Sequence, residues 1–316
     1  MTATAAGDRT ARIERLAYDY AAQPTEPVTS CNLCGSRHLV EVARRDRYGY
    51  PAVLCACARC GLGFLAPRMT AAAYAEFYRD VYRPLVSAYH GRRIDAETVQ
   101  VEQRGYAAEL TAFLGRTLPA APRSVFDVGG STGVVAGSVR ERFGAEASVL
   151  DPAPDELAVA AAAGMETFEG FMEDFEPGER RWDLVLLCQT VDHLLDVRGT
   201  LTAIRRLLAD DGRAFVDVLD VAHVMLREGA IEGAVKIDHP YYLTRATARA
   251  YFAACGLDVV AERMADDGHW GFVLAAGEPV PLPGAGAGAG AGADAALRAT
   301  ADAFLAAVSR LRAGRG

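Results

Sequence analysis

The sequence predicts an α/β protein: a parallel sheet covered by helices, preceded by a small cysteine-bearing unit and a helical arm. Three observations predict it. Residues 119–278 alternate short β-branched runs with Ala/Leu-rich segments, the pattern of strands joined by crossover helices. The run Asp127-Val128-Gly129-Gly130-Ser131-Thr132-Gly133 clusters glycines where a strand gives way to a helix. Finally, two Cys-x-x-Cys-Gly repeats stand close together near the N-terminus.

In chain order, residues 1–68 hold the cysteines and short strand-like pieces and form the first expected domain. Residues 69–118 read as a helical arm, because Tyr74, Phe77, Tyr78 and Tyr82, and then Leu110, Phe113 and Leu114, recur at three- and four-residue steps. Residues 119–278 form the sheet domain. Its strands are expected at 124–129, 147–152, 165–170, 182–189 and 213–220, with two later runs, 257–264 and 269–277, as a closing pair near a sheet edge. Helices are expected to start near Val134 and Thr244. Residues 279–316 open with PVPLPGAGAGAGAGA, by composition a flexible linker. The helix after it has one apolar face, which can dock on its own chain or on a second copy, so monomer and homodimer both stay open.

A formal net charge of −8 argues against nucleic acid or an anionic membrane surface as the main partner. No stretch approaches the roughly 18 to 20 apolar residues of a membrane span. The first twenty residues are polar and charged, without the apolar core of a secretory signal, so the expected compartment is the cytoplasm and the expected partner a small-molecule acceptor.

The glycine turn has a physical use. Gly129 and Gly133 permit positive φ and close approach of backbone to a ligand, and the following helix offers unpaired N–H groups to an anion. Asp127 precedes the first glycine, and Asp151 ends the next strand, where a carboxylate can take both hydroxyls of a ribose. A dinucleotide-binding fold shares that second acid but prefers G-x-G-x-x-G. The spacing here resembles the D/E-x-G-x-G/S-x-G turn of class I S-adenosylmethionine (SAM) dependent methyltransferases. Residues 124–277, including WDLVLLCQTVDHL, are similar to that domain throughout. The resemblance implies a Rossmann-like sheet with SAM as cofactor. It implies that Asp127, Gly129, Ser131 and Gly133 hold the amino acid end, that Asp151 holds the ribose, and that Phe171 and Met172 lie against the adenine. The loop after the strand at 182–189, with Gln189, would line the donor pocket.

Cys31-x-x-Cys34-Gly35 and Cys57-x-x-Cys60-Gly61 each place two thiolates at the tip of a tight turn, and two such turns facing each other make a tetrahedral zinc site. Cys55 alternates with Cys57 and points the other way on an extended run. Four thiolates leave no open coordination position, so the expected zinc is structural. The knuckle followed by Pro67, Arg68, Met69 and Thr70, and then by Glu76, Phe77, Tyr78, Tyr82 and Arg83, resembles zinc-ribbon methyltransferases of bacterial polysaccharide and natural-product pathways. The resemblance thus spans about residues 31–277.

Two histidines are candidate bases. His193 lies in Thr190-Val191-Asp192-His193-Leu194, after the fourth strand of the sheet. His239 lies in Lys236-Ile237-Asp238-His239-Pro240-Tyr241-Tyr242, which resembles the H-x-x-Y-F-S segment of sugar C-methyltransferases with the same ribbon. That likeness implies His239 as the base removing a proton beside a ketone, His193 as a nearby alternative, and Tyr242 as a hydroxyl for the acceptor. The chain departs from that group in two respects: it has only a linker and one helix where those enzymes carry a further C-terminal domain, and their H-E-H reads Asp238-His239 here with a single histidine. The expectation is C-methylation of a (keto)sugar nucleotide or natural-product intermediate. The alternatives are O- or N-methylation of a natural product, or a non-catalytic SAM-binding or zinc-ribbon interaction protein.

Overall fold

The computed structural model describes residues 3–94, 96–282 and 291–314. By packing, the chain divides into two units. One comprises Met1–Val99, Val221–Tyr242 and Gly290–Gly316; the other comprises Gln100–Asp220 and Leu243–Ala289.

The second unit is built on a seven-stranded sheet: β1 (Ser124–Val128), β2 (Glu146–Asp151), β3 (Glu166–Glu169), β4 (Trp182–Leu187), β5 (Leu208–Leu219), β6 (Leu257–Met264) and β7 (His269–Ala276). The order is β6-β7-β5-β4-β1-β2-β3. The five strands from β5 to β3 run parallel, while β7 is antiparallel to both β5 and β6. All seven expected strands form, and the last two are the expected edge pair. The central strands read as apolar runs because helices cover both faces, so their side chains are buried on either side. The helix Ala96–Thr117 contributes Ala107, Leu110, Phe113 and Leu114 to a core shared with Val125, Leu184, Leu186, Phe215 and Val273. Thr244 and Thr247 form a capping box that starts the helix Arg245–Ala254, one residue from the expected start.

The expected arm at 69–118 is three helices: Ala71–Asp80, Tyr82–His90 and Ala96–Thr117. The second stops at Gly91, whose φ of 70° gives a left-handed C-cap. The first two helices belong to the first unit, and most of the third belongs to the second.

In the first unit, strands Leu39–Ala43, Leu54–Cys57 and Gly63–Leu65 form an antiparallel sheet. Its fourth strand comes from far along the chain: Tyr241 pairs with Phe64 and Tyr242 with Gly63. A Cβ at Gly63 would stand 2.9 Å from Tyr242 Cβ, so the close pairing depends on the glycine. Leu65 also donates its amide to Pro240 O at 3.0 Å. Val221–Tyr242, which reads in sequence as part of the sheet domain, therefore packs with the N-terminal residues.

The C-terminal helix, Ala291–Ala313, buries Leu297, Ala301, Phe304, Ala307 and Val308. It docks on its own chain, with Ala301 against Gly61 and the Arg312 guanidinium on the carbonyls of Glu41 and Val42 at 3.0 and 2.8 Å. Most of the Gly/Ala run, residues 283–290, lies outside the described residues. Among the described residues no helix is long and apolar enough to cross a membrane.

Candidate functional site

The donor turn sits in the second unit at the carboxyl end of β1, where doubly wound sheets bind ligands. Asp127 is 1% exposed, and neither of its carboxylate oxygens has a hydrogen-bond partner. Burial raises its pKa to about 7; the nearby Ala136 amide opposes that rise, and the charges of Asp151 and Asp217 add to it. Gly129 and Gly133 have φ of 72° and 75°. A Cβ on Gly129 would lie 2.7 Å from Thr190 Cγ2, and one on Gly133 would lie 2.7 Å from Met165 Cε, so each glycine serves both its φ and its surroundings.

Ser131, between them, adopts φ 52°, a conformation that non-glycine residues rarely hold. Its amide donates to Asp151 Oδ2 at 2.9 Å, and its hydroxyl bonds to the Glu156 carboxylate. The other Asp151 oxygen accepts from Ala153 N at 2.9 Å. Asp151 thus clamps the turn with one oxygen and the next helix with the other, and each oxygen retains a further lone pair.

Beyond β4 the chain makes a second strained turn. Gln189 has φ 52° and gives its amide to Asp217 Oδ1. Thr190 Oγ1 bonds back to Cys188 O at 2.8 Å, and the short helix Val191–His193 follows, with His193 N on Thr190 O at 3.0 Å. His193 is half-buried. Phe171 is 44% exposed whereas Met172 is 5% exposed, so the expected adenine pair divides into an open ring and a packed thioether. An open concavity of about 390 Å³, lined in part by Ser124, Arg140, Glu146 and Trp182, lies at the amino ends of the strands. It is at the wrong end of the sheet for the donor turn.

The first unit carries the other candidates. Cys31, Cys34, Cys57 and Cys60 are buried, and their sulfurs all lie within 4.8 Å of one another. Cys31 Sγ and Cys60 Sγ are 3.5 Å apart, Cys34 Sγ and Cys57 Sγ 3.6 Å. Zn–S bonds of about 2.3 Å in a tetrahedron place sulfurs about 3.8 Å apart, so the donor set and spacing fit zinc. The two knuckles are folded alike: Gly35 N bonds to Cys31 O at 2.8 Å and Gly61 N to Cys57 O at 2.9 Å. Within the cluster the contacts among the sulfurs pull the thiols of Cys34 and Cys57 down and push those of Cys31 and Cys60 up, so the four titrate as one group. Cys55 is half-buried, outside the cluster, as the strand alternation requires.

His239 lies in the loop leading to the fourth ribbon strand, and Tyr242 lies in that strand. Asp46 organises this loop: its Oδ1 accepts from the amides of Tyr48 and Tyr50 at 2.9 Å each, and its Oδ2 from Ile237 N at 3.3 Å. Burial raises the Asp46 pKa to about 7. Two arm tyrosines donate to the same loop, Tyr74 to Ile237 O at 3.2 Å and Tyr78 to Asp238 O at 3.0 Å. His239 is 5% exposed; its Nε2 lies 3.2 Å from Lys236 Nζ and 3.4 Å from Asp238 Oδ2. The Tyr242 hydroxyl donates to Lys236 O at 2.6 Å and accepts from Lys236 N at 2.8 Å. The expectation that this hydroxyl serves an acceptor thus meets a different arrangement, in which it clasps the two ends of the loop. Burial raises its pKa well above the ordinary tyrosine value, so the proton for that clasp is retained.

Sequence reasoning did not single out Asp46, Asp217 or Tyr106, whose hydroxyl donates to Asp217 Oδ2 at 2.7 Å. An acid inside the apolar run RAFVDVLD was the available signal for Asp217, because a charge on a buried strand requires partners.

Comparison with known proteins bears on most of the second unit and on Val221–Tyr242 of the first. Residues 99–262 match the family described as "Methyltransferase domain". No curated protein matches the sequence. Among solved structures, the chain is similar to the CcbJ methyltransferase from Streptomyces caelestis, with 17% identity and a TM-score of 0.45 over 54% of this chain and 90% of that one. Similar too is the magnesium protoporphyrin IX methyltransferase of Synechocystis PCC 6803 with bound SAH, with 12% identity and a TM-score of 0.44 over 58% and 87%. A third is the glycopeptide N-methyltransferase MtfA complexed with sinefungin, with 14% identity and a TM-score of 0.42 over 53% and 92%. The family match covers more than half of the chain and takes in the glycine turn and strands β1 to β5: the chain belongs to the SAM-dependent methyltransferases.

Proposed function

We propose that this methyltransferase acts on a small polar acceptor, a (keto)sugar nucleotide or natural-product intermediate, and methylates carbon beside a carbonyl. The observation that carries the donor half is Asp127: a buried carboxylate with no side-chain partner and only the nearby Ala136 amide to ease its burial, beside a turn of positive φ, calls for a cationic ligand. The SAM ammonium answers that need. Gly129, Ser131 and Gly133 would border its amino acid end, Asp151 would accept from the ribose hydroxyls through its remaining lone pairs, and Gln189 would line the donor side. Phe171 would offer its open ring to the adenine, with Met172 packed beside it. Bound SAM supplies an electrophilic methyl group on a sulfonium.

His239 or His193 would take the acceptor proton, leaving the carbon electron pair to receive the methyl group. The loop network favours His239, because Asp46, Tyr74, Tyr78 and Tyr242 all fix the backbone that carries it. Tyr242 is then a positioning residue. Zinc on Cys31, Cys34, Cys57 and Cys60 would be structural, holding the ribbon strand on which that loop ends.

Two measurements test this reading. Calorimetry of SAH binding to the wild type and to Asp151→Ala should show at least about a tenfold loss in the variant, the worth of a lost charged hydrogen bond; equal affinities would sink the ribose assignment. Turnover of labelled SAM with panels of keto-sugar nucleotides, with His239→Ala and His193→Ala alongside, tests catalysis. Product analysis then shows whether carbon or a heteroatom carries the methyl group. Full turnover in both variants would remove both bases.

A further inference from the structure

Among the described residues, three that are not glycine have positive φ, and two of them, Ser131 and Gln189, follow neighbouring parallel strands of one sheet. They are held alike. The Ser131 amide is bound by Asp151 at the end of β2, and the Gln189 amide by Asp217 near the end of β5. In each case a buried carboxylate on the adjacent strand compensates a strained left-handed backbone. Strained turns of this kind persist where the surroundings over-determine them.

The Gln189 turn has further consequences. Its next residue, Thr190, packs on Gly129 so closely that a Cβ there would stand 2.7 Å from Thr190 Cγ2. Thr190 also accepts the amide of His193 at 3.0 Å. A shift of the turn would therefore move both the wall behind the first donor glycine and the backbone of a candidate base. Asp217 itself is 2% exposed, and its second oxygen is fixed by the Tyr106 hydroxyl at 2.7 Å. Tyr106 lies on the long helix Ala96–Thr117, more than a hundred residues away in sequence.

We propose that Asp217, anchored by Tyr106, is a positioning residue for the methyl-donor site: through the Gln189 amide it sets Thr190 against Gly129 and places His193. Asp217 touches neither donor nor acceptor in this scheme. The inference rests on the assignment of SAM to the Asp127–Gly133 turn.

The test uses the full chain and SAH as the probe, with three variants: Asp217→Asn, Tyr106→Phe, and Asp183→Asn as a control at the amino end of β4, where the carboxylate pairs with Arg123. The expected result is SAH affinity about tenfold weaker in Asp217→Asn and about threefold weaker in Tyr106→Phe. The control should match the wild type. The imidazole resonances of His193 should shift in the first two variants and stay put in the third, a readout that a uniform loss of stability does not move. If Asp217→Asn fails to fold, Tyr106→Phe, which removes one hydroxyl, carries the test. Wild-type SAH affinity in both Asp217→Asn and Tyr106→Phe overturns the inference while leaving the donor assignment standing. A wild-type protein that binds no SAH overturns the donor assignment, and this inference with it.

Discussion

The donor turn at Asp127–Gly133 and the histidine loop at Lys236–Tyr242 are built on opposite plans. At the donor turn a carboxylate is buried with both oxygens lacking hydrogen-bond partners. In the histidine loop several polar groups are turned onto the protein's own backbone: Asp46 takes three amides, and the hydroxyls of Tyr74, Tyr78 and Tyr242 bond to the carbonyls of residues 236–238. A lone buried charge opposes folding and is kept where a ligand compensates it. A satisfied polar network rigidifies what it holds. The difference fits the roles proposed for them, the first element to bind and the second to position.

The comparison can be broken most severely at the cysteines. Cys57→Ser should abolish stoichiometric zinc by metal analysis and destabilise the first unit by at least about 5 kcal/mol, since structural zinc binding is folding free energy. SAH affinity should stay within about threefold, because the contacts of the donor turn lie in the other unit. A parallel collapse of SAH binding would show that the two elements are not separable.

Asp127→Asn is next in size. It should weaken SAH binding about a hundredfold, close to 3 kcal/mol, while raising the melting temperature of the ligand-free protein at pH 8. The pH dependence follows from the raised pKa of about 7. Between about pH 4 and 7 the native state keeps a proton that the unfolded chain, with an ordinary carboxyl, has lost, so Asp127 makes stability fall as pH rises through that window. SAH affinity should rise over the same window, as the carboxylate forms to meet the ammonium. Calorimetry at pH 6 and pH 8 checks both slopes, and the asparagine variant should flatten them.

A smaller effect is expected on the positioning side. Asp46→Asn retains only one acceptor oxygen for three amides and should cost about 1–3 kcal/mol by denaturant unfolding. Smallest is Tyr242→Phe, which opens the clasp on Lys236 and should cost about 1 kcal/mol. If Tyr242 only positions, this variant keeps part of its turnover where His239→Ala keeps none; equal losses would return Tyr242 to the chemistry.

Much of the sheet was legible in the sequence because its signals are local. Strand β1, the glycine turn and the helix after it are adjacent in the chain, and a buried parallel strand has to be apolar. The cysteine knuckles were legible for the same reason, each being closed by its own glycine. The destination of Val221–Tyr242 was not. Its pairing with Gly63 and Phe64 crosses well over a hundred residues, and no local pattern encodes which edge a two-residue strand joins. Asp46 and Tyr106 were hidden likewise, since each acts on a backbone or side chain distant in sequence. The clasp made by Tyr242 was hidden for a related reason: a hydroxyl looks available until the carbonyl and amide it meets are known.

The contact between the second knuckle and the C-terminal helix sets an evolutionary constraint. Gly61 holds φ 77°, and a Cβ there would stand 3.0 Å from Ala301 Cα and 3.2 Å from Thr300 O. Position 61 therefore answers to two demands at once, the turn that aims Cys57 and Cys60 and the seat of a helix some 240 residues downstream. The two sites should vary as a pair: relatives that lose the small residue at 301, or lack the helix, are released from one demand at 61, while relatives that keep the helix are bound to glycine there even if their metal is lost.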